Sequence, residues 1–363
     1  MSDDRRELKG TLRATLTPVT RILTFAEAIA DANRKCDSLS VLLGNGFSIA
    51  YDSTIFSYES LAEEAELAAL SVPKADLFAS LSSQNFEVVI DKLNAASSIQ
   101  RLYGGDPVLA DQMAADAVVV RNGLADVLAS RHPFNALAVT DEEVRHAREF
   151  LTHFLNIYTL SYDLLLYWAV NRSEVGPFVR KRDGFEWPTW KDRSRLIWKR
   201  RPTQGPQRVY FLHGALHLFV QDRKLTKLSY NSHGSIVGEL RSRLEAGEYP
   251  IVVTEGTRLE KEARIERSAY LRTALQRFGL LDGALFIHGV SMSPNDDHVL
   301  ELIETESSTI TALYVGIYGD PDAPSARKVI DRAKEMKRHR RESGGRPLRL
   351  RFYDVTSAHV WRD

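Results

Sequence analysis

The chain has 363 residues and a mass of 41.0 kDa, enough for one large domain with an insertion or for two domains. Its 48 lysines and arginines balance 48 aspartates and glutamates, so no overall charge directs it to nucleic acid or to a membrane. A single cysteine excludes an internal disulfide and a cysteine-based zinc site. No apolar run has the length of a membrane span, and the N-terminus lacks the apolar core of a signal peptide. We therefore expect a soluble, cytoplasmic protein.

The strongest local signal lies at residues 39–48. Residues 39–43 are a short apolar run, which predicts a buried strand of a parallel sheet. A turn follows directly, made of Gly44, Asn45, Gly46, Phe47 and Ser48. Glycines let backbone N–H groups approach a phosphate with no Cβ in the way, and nucleotide-binding α/β sheets begin like this. An ordinary tight turn after a strand is the alternative reading.

A long helical stretch comes next in the chain. Residues 53–150 carry few strand signals, and we interpret them as a helical insertion that covers one edge or face of the sheet. Helices are predicted there at 61–70, 86–99, 111–130 and 141–154.

After residue 150, strand patterns alternate with helical ones. Strands are predicted at 155–160, 208–220 (interrupted by His213 and Gly214), 249–253, 283–290, 313–318 and 348–353, and helices at 164–170, 260–278 and 325–341. About seven strands interleaved with helices predict an α/β fold, a Rossmann-like, mostly parallel sheet with helices on both faces and a helical insertion. We assign residues 1–52 and 151–363 to this Rossmann-type domain and 53–150 to the insertion.

Polar residues follow the predicted strands where those strands end. They are Gly44 to Ser48, Ser161 to Asp163, His213 with Gly214, and Gly289 to Ser291. In open α/β sheets ligands bind outside the carboxyl ends of the strands. This convergence predicts a nucleotide site at that edge.

The same four segments resemble motifs of sirtuin-like proteins. Residues 43–48 (L-G-N-G-F-S) resemble the phosphate turn of that family, and residues 159–163 (T-L-S-Y-D) its T-x-N-x-D segment. Residues 211–214 (F-L-H-G) are similar to its histidine-glycine segment, and 286–291 (F-I-H-G-V-S) to its later G-x-S turn. Order and spacing agree across roughly 39–305, and the chain most resembles a bacterial family of uncharacterised sirtuin-like proteins.

The resemblance implies NAD binding, with cleavage of the bond between nicotinamide and ribose. Sirtuin-like enzymes either deacylate lysine or, in many bacterial phage-defence proteins, hydrolyse NAD. His213 would activate a hydroxyl or water, with Asp163 and Ser161 beside it and Asp163 orienting the ribose or nicotinamide pocket. The other matched residues would bind the cofactor: Gly44, Asn45, Gly46, Phe47 and Ser48 at the phosphates, and Gly214, Gly289 and Ser291 around it.

Two departures from the family pattern limit the activity. Ser161 stands where the family usually carries asparagine, and a single cysteine cannot supply the four-cysteine zinc module of the deacetylases. Protein deacetylation is therefore excluded. The hypotheses left open are an NAD glycohydrolase acting as a bacterial defence effector, and a non-catalytic module that binds NAD or an ADP-ribose derivative.

Other partners receive weaker support from the sequence. His213 and His217 share a face if they lie on one strand, but we predict no metal there. Asp296, Asp297 and His298 have the pattern of residues at a helix start, and no metal is predicted on them either. Basic residues at 178–207 and 327–351 define a third class, a nucleic-acid-binding effector, which we do not expect. The resemblance also implies a homo-oligomer, and no membrane partner is expected.

Overall fold

The computed structural model describes residues 21–53, 65–83, 86–130, 132–133, 135–189, 191, 195–230, 235–253 and 258–362. The predicted helix at 61–70 lies partly outside these ranges, and the part that is described, 65–70, is not helical. None of the helices within the described ranges combines the length and apolar character that crossing a bilayer requires.

The strands form two sheets. They are β1 Ile22–Leu23, β2 Leu39–Leu43, β3 Asn156–Thr159, β4 Phe185–Glu186, β5 Leu196–Trp198, β6 Val209–Phe211, β7 Gly214–Gln221, β8 Lys224–Lys227, β9 Pro250–Val252, β10 Asp282–His288, β11 Thr309–Ile317 and β12 Arg349–Asp354. The larger sheet has seven strands in the order β1-β12-β11-β10-β2-β3-β6, and all of its pairs are parallel. The smaller sheet is antiparallel, in the order β4-β5-β8-β7-β9.

The helices in the described ranges are α1 Phe25–Asn33, α2 Gly46–Ile49, α3 Lys74–Ser80, α4 Phe86–Leu102, α5 Pro107–Ser130, α6 Asp141–Thr152, α7 Leu165–Asn171, α8 Ile236–Glu245, α9 Arg258–Arg267, α10 Ala269–Gly279, α11 Asp297–Glu304 and α12 Pro324–Glu342. Some of them cover the two faces of the parallel sheet. On the face that contains Leu42, the apolar core is completed by α10, α11 and α12; on the face of Val41, it is completed by α1 and α6. The predicted Rossmann-like α/β fold is confirmed.

Strand β2 lies in the middle of the parallel sheet. All five of its residues are buried, and Leu42 is in register with Ile287 of β10 on one side and Tyr158 of β3 on the other. A strand covered on both faces has no solvent side, which explains its continuous apolar sequence. This central position places the glycine-rich turn after β2 between the ends of two neighbouring strands.

The antiparallel sheet is a correction to the sequence analysis. The predicted strand at 208–220 is two strands in two sheets, because the chain leaves the parallel sheet after Phe211 and enters the antiparallel sheet at Gly214. Gly214 has a φ of 73°, and a Cβ there would lie 1.9 Å from the carbonyl oxygen of Ile251, so only glycine fits this crossing. The predicted strand at 249–253 is β9, also in the antiparallel sheet.

Two long helices dominate the stretch predicted as an insertion. Helices α4 and α5 pack on each other, and α5 packs on α8, which in turn contacts β7 of the antiparallel sheet. Asp126 of α5 forms an ion pair with Arg241 of α8 at 2.7 Å. The helix predicted at 260–278 is divided at Ser268, whose hydroxyl caps α10.

Candidate functional site

Four polar segments lie at the carboxyl ends of four adjacent parallel strands. Strands β10, β2, β3 and β6 are consecutive neighbours in the sheet. Residues 44–48 follow β2, 161–163 follow β3, 213–214 follow β6 and 289–291 follow β10. The sheet therefore brings all the candidate residues to one edge, the place where open α/β sheets bind ligands.

The turns after β2 and β10 are packed backbone to backbone. The N–H of Gly44 donates to the carbonyl of His288 at 2.9 Å, and the N–H of Gly46 donates to the carbonyl of Gly289 at 2.8 Å. A Cβ on Gly44 would lie 2.3 Å from the carbonyl oxygen of Gly289. Both glycines of the first turn are thus required by this close approach, whatever ligand the turn contacts.

Four of the five backbone N–H groups of residues 44–48 donate to carbonyls inside the protein. Besides the two glycine amides, the N–H of Phe47 donates to the carbonyl of Gly44 at 3.1 Å, and that of Ser48 to the carbonyl of Asn45 at 2.8 Å. These four amides are not turned toward a ligand. Phosphate contacts at this edge therefore have to come from other groups.

Asp163 connects the ends of β2 and β3. Its Oδ2 accepts hydrogen bonds from the hydroxyls of Ser48 and Ser161, the second at 2.5 Å, and its Oδ1 accepts the N–H of Leu165 at 2.8 Å. Ser161 Oγ also lies 3.3 Å from Asn45 Oδ1. The structure therefore brings together four of the predicted site residues around one buried carboxylate, which makes Asp163 a positioning group with its oxygens already engaged.

Phe47 is buried beneath the end of the chain. Its ring lies 5.0 Å from that of Trp361, and its carbonyl accepts the indole N–H of Trp361 at 2.6 Å. Trp361 was not identified from the sequence, since nothing local links residue 361 to the turn at 47. Its contact holds the start of α2 in place.

His213 contacts a second cluster of polar side chains. Its Nε2 lies 3.0 Å from Nε2 of His298, at the start of α11, and 4.0 Å from Oδ1 of Asp296. Lys261 of α9 reaches the same Asp296 oxygen at 3.0 Å. His298 and Lys261 were missed as site residues because they are far from His213 in sequence. The one available signal was that His298 follows the carboxyl end of β10.

Both imidazoles of this pair are held neutral. Burial, together with the positive charge of Lys261 and the neighbouring His298, keeps the pKa of His213 well below its ordinary value. Burial also lowers the pKa of His298, although the carboxylate of Asp296 opposes that shift. At neutral pH His213 is therefore an uncharged group with a basic nitrogen.

His217 is not a partner of His213. It is fully buried, its ring stacks on Tyr167 at 3.9 Å, and neither of its ring nitrogens has a hydrogen bond. His213 precedes β7, so the two histidines do not share a strand face. The prediction of no metal considered this pair and, separately, Asp296, Asp297 and His298 at a helix start, whereas the structure brings His298 against His213.

Ser291 is exposed and borders a cavity of about 750 Å³ between the turn after β10 and helix α12. Lys328, Arg332, Lys334 and Arg338 line this cavity from α12, together with Asp331 and Glu335. Four cations against two carboxylates give its wall a positive balance. Ser291 is the predicted cofactor-binding residue that lines this cavity, so the cavity adjoins the carboxyl edge of the sheet at Ser291.

Comparison with known proteins gives a family without an assigned activity. Residues 41–361 match the family model described as "Domain of unknown function (DUF4917)", which spans both sheets and all four polar segments. No curated protein matches the chain.

Proposed function

We propose that the chain, which belongs to the DUF4917 family, binds NAD at the carboxyl edge of its parallel sheet and cleaves the bond between nicotinamide and ribose. The observation that carries this proposal is the meeting of four polar segments at the ends of strands β10, β2, β3 and β6. Their resemblance in order and spacing to sirtuin-like motifs supports NAD over other nucleotides.

The proposed reaction is hydrolysis. The bond between the ribose C1′ and the nicotinamide nitrogen breaks, and its electron pair leaves with nicotinamide. The oxygen of a water molecule bonds to C1′, and one proton of that water moves to Nε2 of His213, giving ADP-ribose as the second product. Burial and the charge of Lys261 lower the pKa of His213, so its ring is neutral and one of its nitrogens is free of a proton and can accept one; the same lowered pKa makes it a weak base.

The diphosphate of NAD needs cationic or N–H partners. Four of the five amides in the turn after β2 bind carbonyls within the protein, so those four do not fill this role. Lys328 and Lys334, which border the cavity beside Ser291, are the cations best placed for the diphosphate. The proposal therefore places the phosphates nearer β10 and α12 than the sequence motif suggests.

A specific observation favours the second hypothesis, a non-catalytic module for NAD or an ADP-ribose derivative. Asp163 has both carboxylate oxygens engaged by Ser48, Ser161 and Leu165, and Nε2 of His213 faces His298. Groups already satisfied in this way can bind and hold a ligand without moving a proton. The two hypotheses differ only in whether the bound NAD is cleaved.

One experiment separates them. Purified protein is incubated with NAD, and nicotinamide and ADP-ribose are followed by chromatography, beside His213→Ala and a control, His146→Ala, on the half-exposed side of α6. Product from the wild type and the control, but not from His213→Ala, supports the glycohydrolase. No product, with NAD raising the melting temperature, supports the binding module. No product and no stabilisation would contradict both.

A further inference from the structure

His213 and His298 form a facing pair of imidazoles with a carboxylate beside them. Their Nε2 atoms are 3.0 Å apart, and both side chains are buried. One donor atom from each of His213, His298 and Asp296 lies within 4.8 Å of the others. His213 comes from the loop after β6, Asp296 from the turn before α11 and His298 from the first turn of α11, and the parallel sheet brings these segments to the same edge.

The tautomers of the two rings determine whether a cation fits between them. The carbonyl of Leu160 favours a proton on His213, and we place that proton on Nδ1 because Nε2 faces His298. Among the described residues Nδ1 of His298 has no hydrogen-bond partner, so in the metal-free protein Nε2 of His298 can carry the proton and donate it to Nε2 of His213. With the proton of His298 on Nδ1 instead, two Nε2 lone pairs face each other, and a cation between them can bind both.

We propose that His213, His298 and Asp296 bind one divalent transition-metal cation, for which Zn²⁺ is the test ion. Two imidazole nitrogens and one carboxylate are a donor set that zinc uses with a water in the fourth position. Zinc–nitrogen bonds of 2.0–2.1 Å in a tetrahedral site set the two nitrogens about 3.3 Å apart. The present separation of 3.0 Å needs to open by only a few tenths of an ångström.

The backbone carbonyl behind His213 supports this assignment. Histidines that bind metals commonly donate their other ring N–H to a carbonyl or carboxylate, which fixes the tautomer and aims the free lone pair. The carbonyl of Leu160 favours this tautomer of His213. Mg²⁺ and Ca²⁺ prefer oxygen ligands, so a site with two nitrogens among three donors discriminates against them.

Lys261 competes with the cation. Its ammonium lies 3.0 Å from the Asp296 oxygen that faces His213, and its side chain is 11% exposed. A divalent ion at the same carboxylate is repelled by this charge and has to displace it. Replacing Lys261 by methionine keeps the length of the side chain and removes the charge, so it should strengthen binding of the metal.

Metal binding and proton transfer use the same lone pair. A cation on Nε2 of His213 leaves that atom unable to accept the proton in the proposed NAD hydrolysis, so the two roles exclude each other at any moment. Binding is therefore measured without NAD. Failure of the metal site would then leave the NAD proposal standing, and the reverse also holds.

The test is calorimetric titration of the full chain with Zn²⁺ after treatment with EDTA and dialysis. We expect one ion per chain, and no binding of Mg²⁺. His298→Ala should weaken binding about 100-fold or more, because even groups behind the ligands contribute about 10- to 100-fold. Asp296→Asn should weaken it about tenfold and Lys261→Met should strengthen it about tenfold, since one partly screened charge at this distance changes the binding constant by roughly that factor.

The control is His146→Ala, which removes a histidine far from the site and should leave the affinity unchanged. Asp296→Asn and Lys261→Met change less buried side chains, with 16% and 11% exposure, so they test the site if His298→Ala does not fold. Equal Zn²⁺ affinity in the wild type, Asp296→Asn and Lys261→Met would overturn the proposal, as would the absence of stoichiometric binding.

Discussion

Gly46 and Gly289 lie in direct backbone contact: the N–H of Gly46 donates to the carbonyl of Gly289 at 2.8 Å, and a Cβ on Gly289 would lie 2.6 Å from the Cα of Gly46. This contact joins the turns after β2 and β10, two of the four segments that form the proposed site. Any side chain at either glycine has to separate the turns. The geometry of the carboxyl edge therefore depends on these two residues.

We expect Gly289→Ala to lower the free energy of unfolding by about 3 kcal/mol. About 1 kcal/mol comes from the left-handed backbone, with a φ of 66°, and the remainder from the overlap with Gly46. The measurement is urea denaturation of the variant and the wild type.

Gly319→Ala is the matched control for this prediction. Gly319 has a similar φ of 70°, but a Cβ there would meet nothing within 4 Å. Its replacement should cost about 1 kcal/mol, the backbone contribution alone. Equal losses in the two variants would show that the contact between the turns does not restrain the protein.

Asp163→Asn should destabilise the protein by about 2 kcal/mol. The asparagine keeps the shape of the side chain, but only one of its two terminal atoms accepts hydrogen bonds, so it loses either the hydroxyls of Ser48 and Ser161 or the N–H of Leu165. Hydrogen bonds to a charged group contribute about 1.5–3 kcal/mol. Asp282→Asn is the control, an exposed carboxylate that accepts the hydroxyl of Ser38 at 2.8 Å, and should change stability by less than about 0.5 kcal/mol. A loss at Asp163 no larger than at Asp282 would contradict the positioning role.

Ser161→Asn should increase nicotinamide release about tenfold if the enzyme is active but slow. The asparagine restores the amide that sirtuin-like enzymes carry at this position, where Ser161 now lies 3.3 Å from the side-chain oxygen of Asn45. Single-turnover assays with NAD measure the effect. Release only in the variant would support the binding module as the natural function, and an unchanged rate would show that residue 161 does not limit turnover.

Stability should fall as the pH decreases from about 6.5 to 4. Burial lowers the pKa of His288 to about 4. In this interval the unfolded chain binds a proton that the folded protein does not, so the free energy of unfolding decreases by about 1.4 kcal/mol per pH unit for this group. Below pH 4 both states are protonated and the contribution of His288 becomes constant.

His288→Asn isolates this contribution. The amide can replace Nδ1 in the hydrogen bond to the hydroxyl of Tyr353, now 3.0 Å long, and it does not titrate. As the pH falls from 6.5 to 4, the free energy of unfolding should decrease less in the variant than in the wild type. The stabilities of the two proteins should therefore approach each other at low pH. An unchanged slope would contradict the role of His288.

Local sequence was sufficient to predict six of the seven strands of the parallel sheet, but neither its two-residue edge strand β1 nor the antiparallel sheet. Strand β2 is buried on both faces and its sequence is an unbroken apolar run, so the strand can be recognised from the sequence alone. Strands β4 and β5 have two and three residues, and β8 carries lysine at both ends. Segments so short have no measurable period, and their pairing is decided by tertiary contacts.

The sequence predicted where the candidate site lies better than it predicted which residues contact each other there. Strand ends placed His213, Asp163 and the glycine turns at one edge, because that follows from a parallel sheet. The partner of His213 is His298, 85 positions away along the chain, and no spacing rule links the two. The glycines of the first turn were read as a phosphate cradle, whereas the structure shows that they accommodate Gly289.

The most direct test of NAD binding at the carboxyl edge is hydrogen–deuterium exchange of the wild type with and without carba-NAD, an analogue whose nicotinamide bond is not cleaved. The account predicts slower exchange in peptides that contain residues 44–48, 161–163 and 289–291, and unchanged exchange in α4, which packs on α5. Binding that protects other segments and leaves these three unchanged would contradict the proposed site.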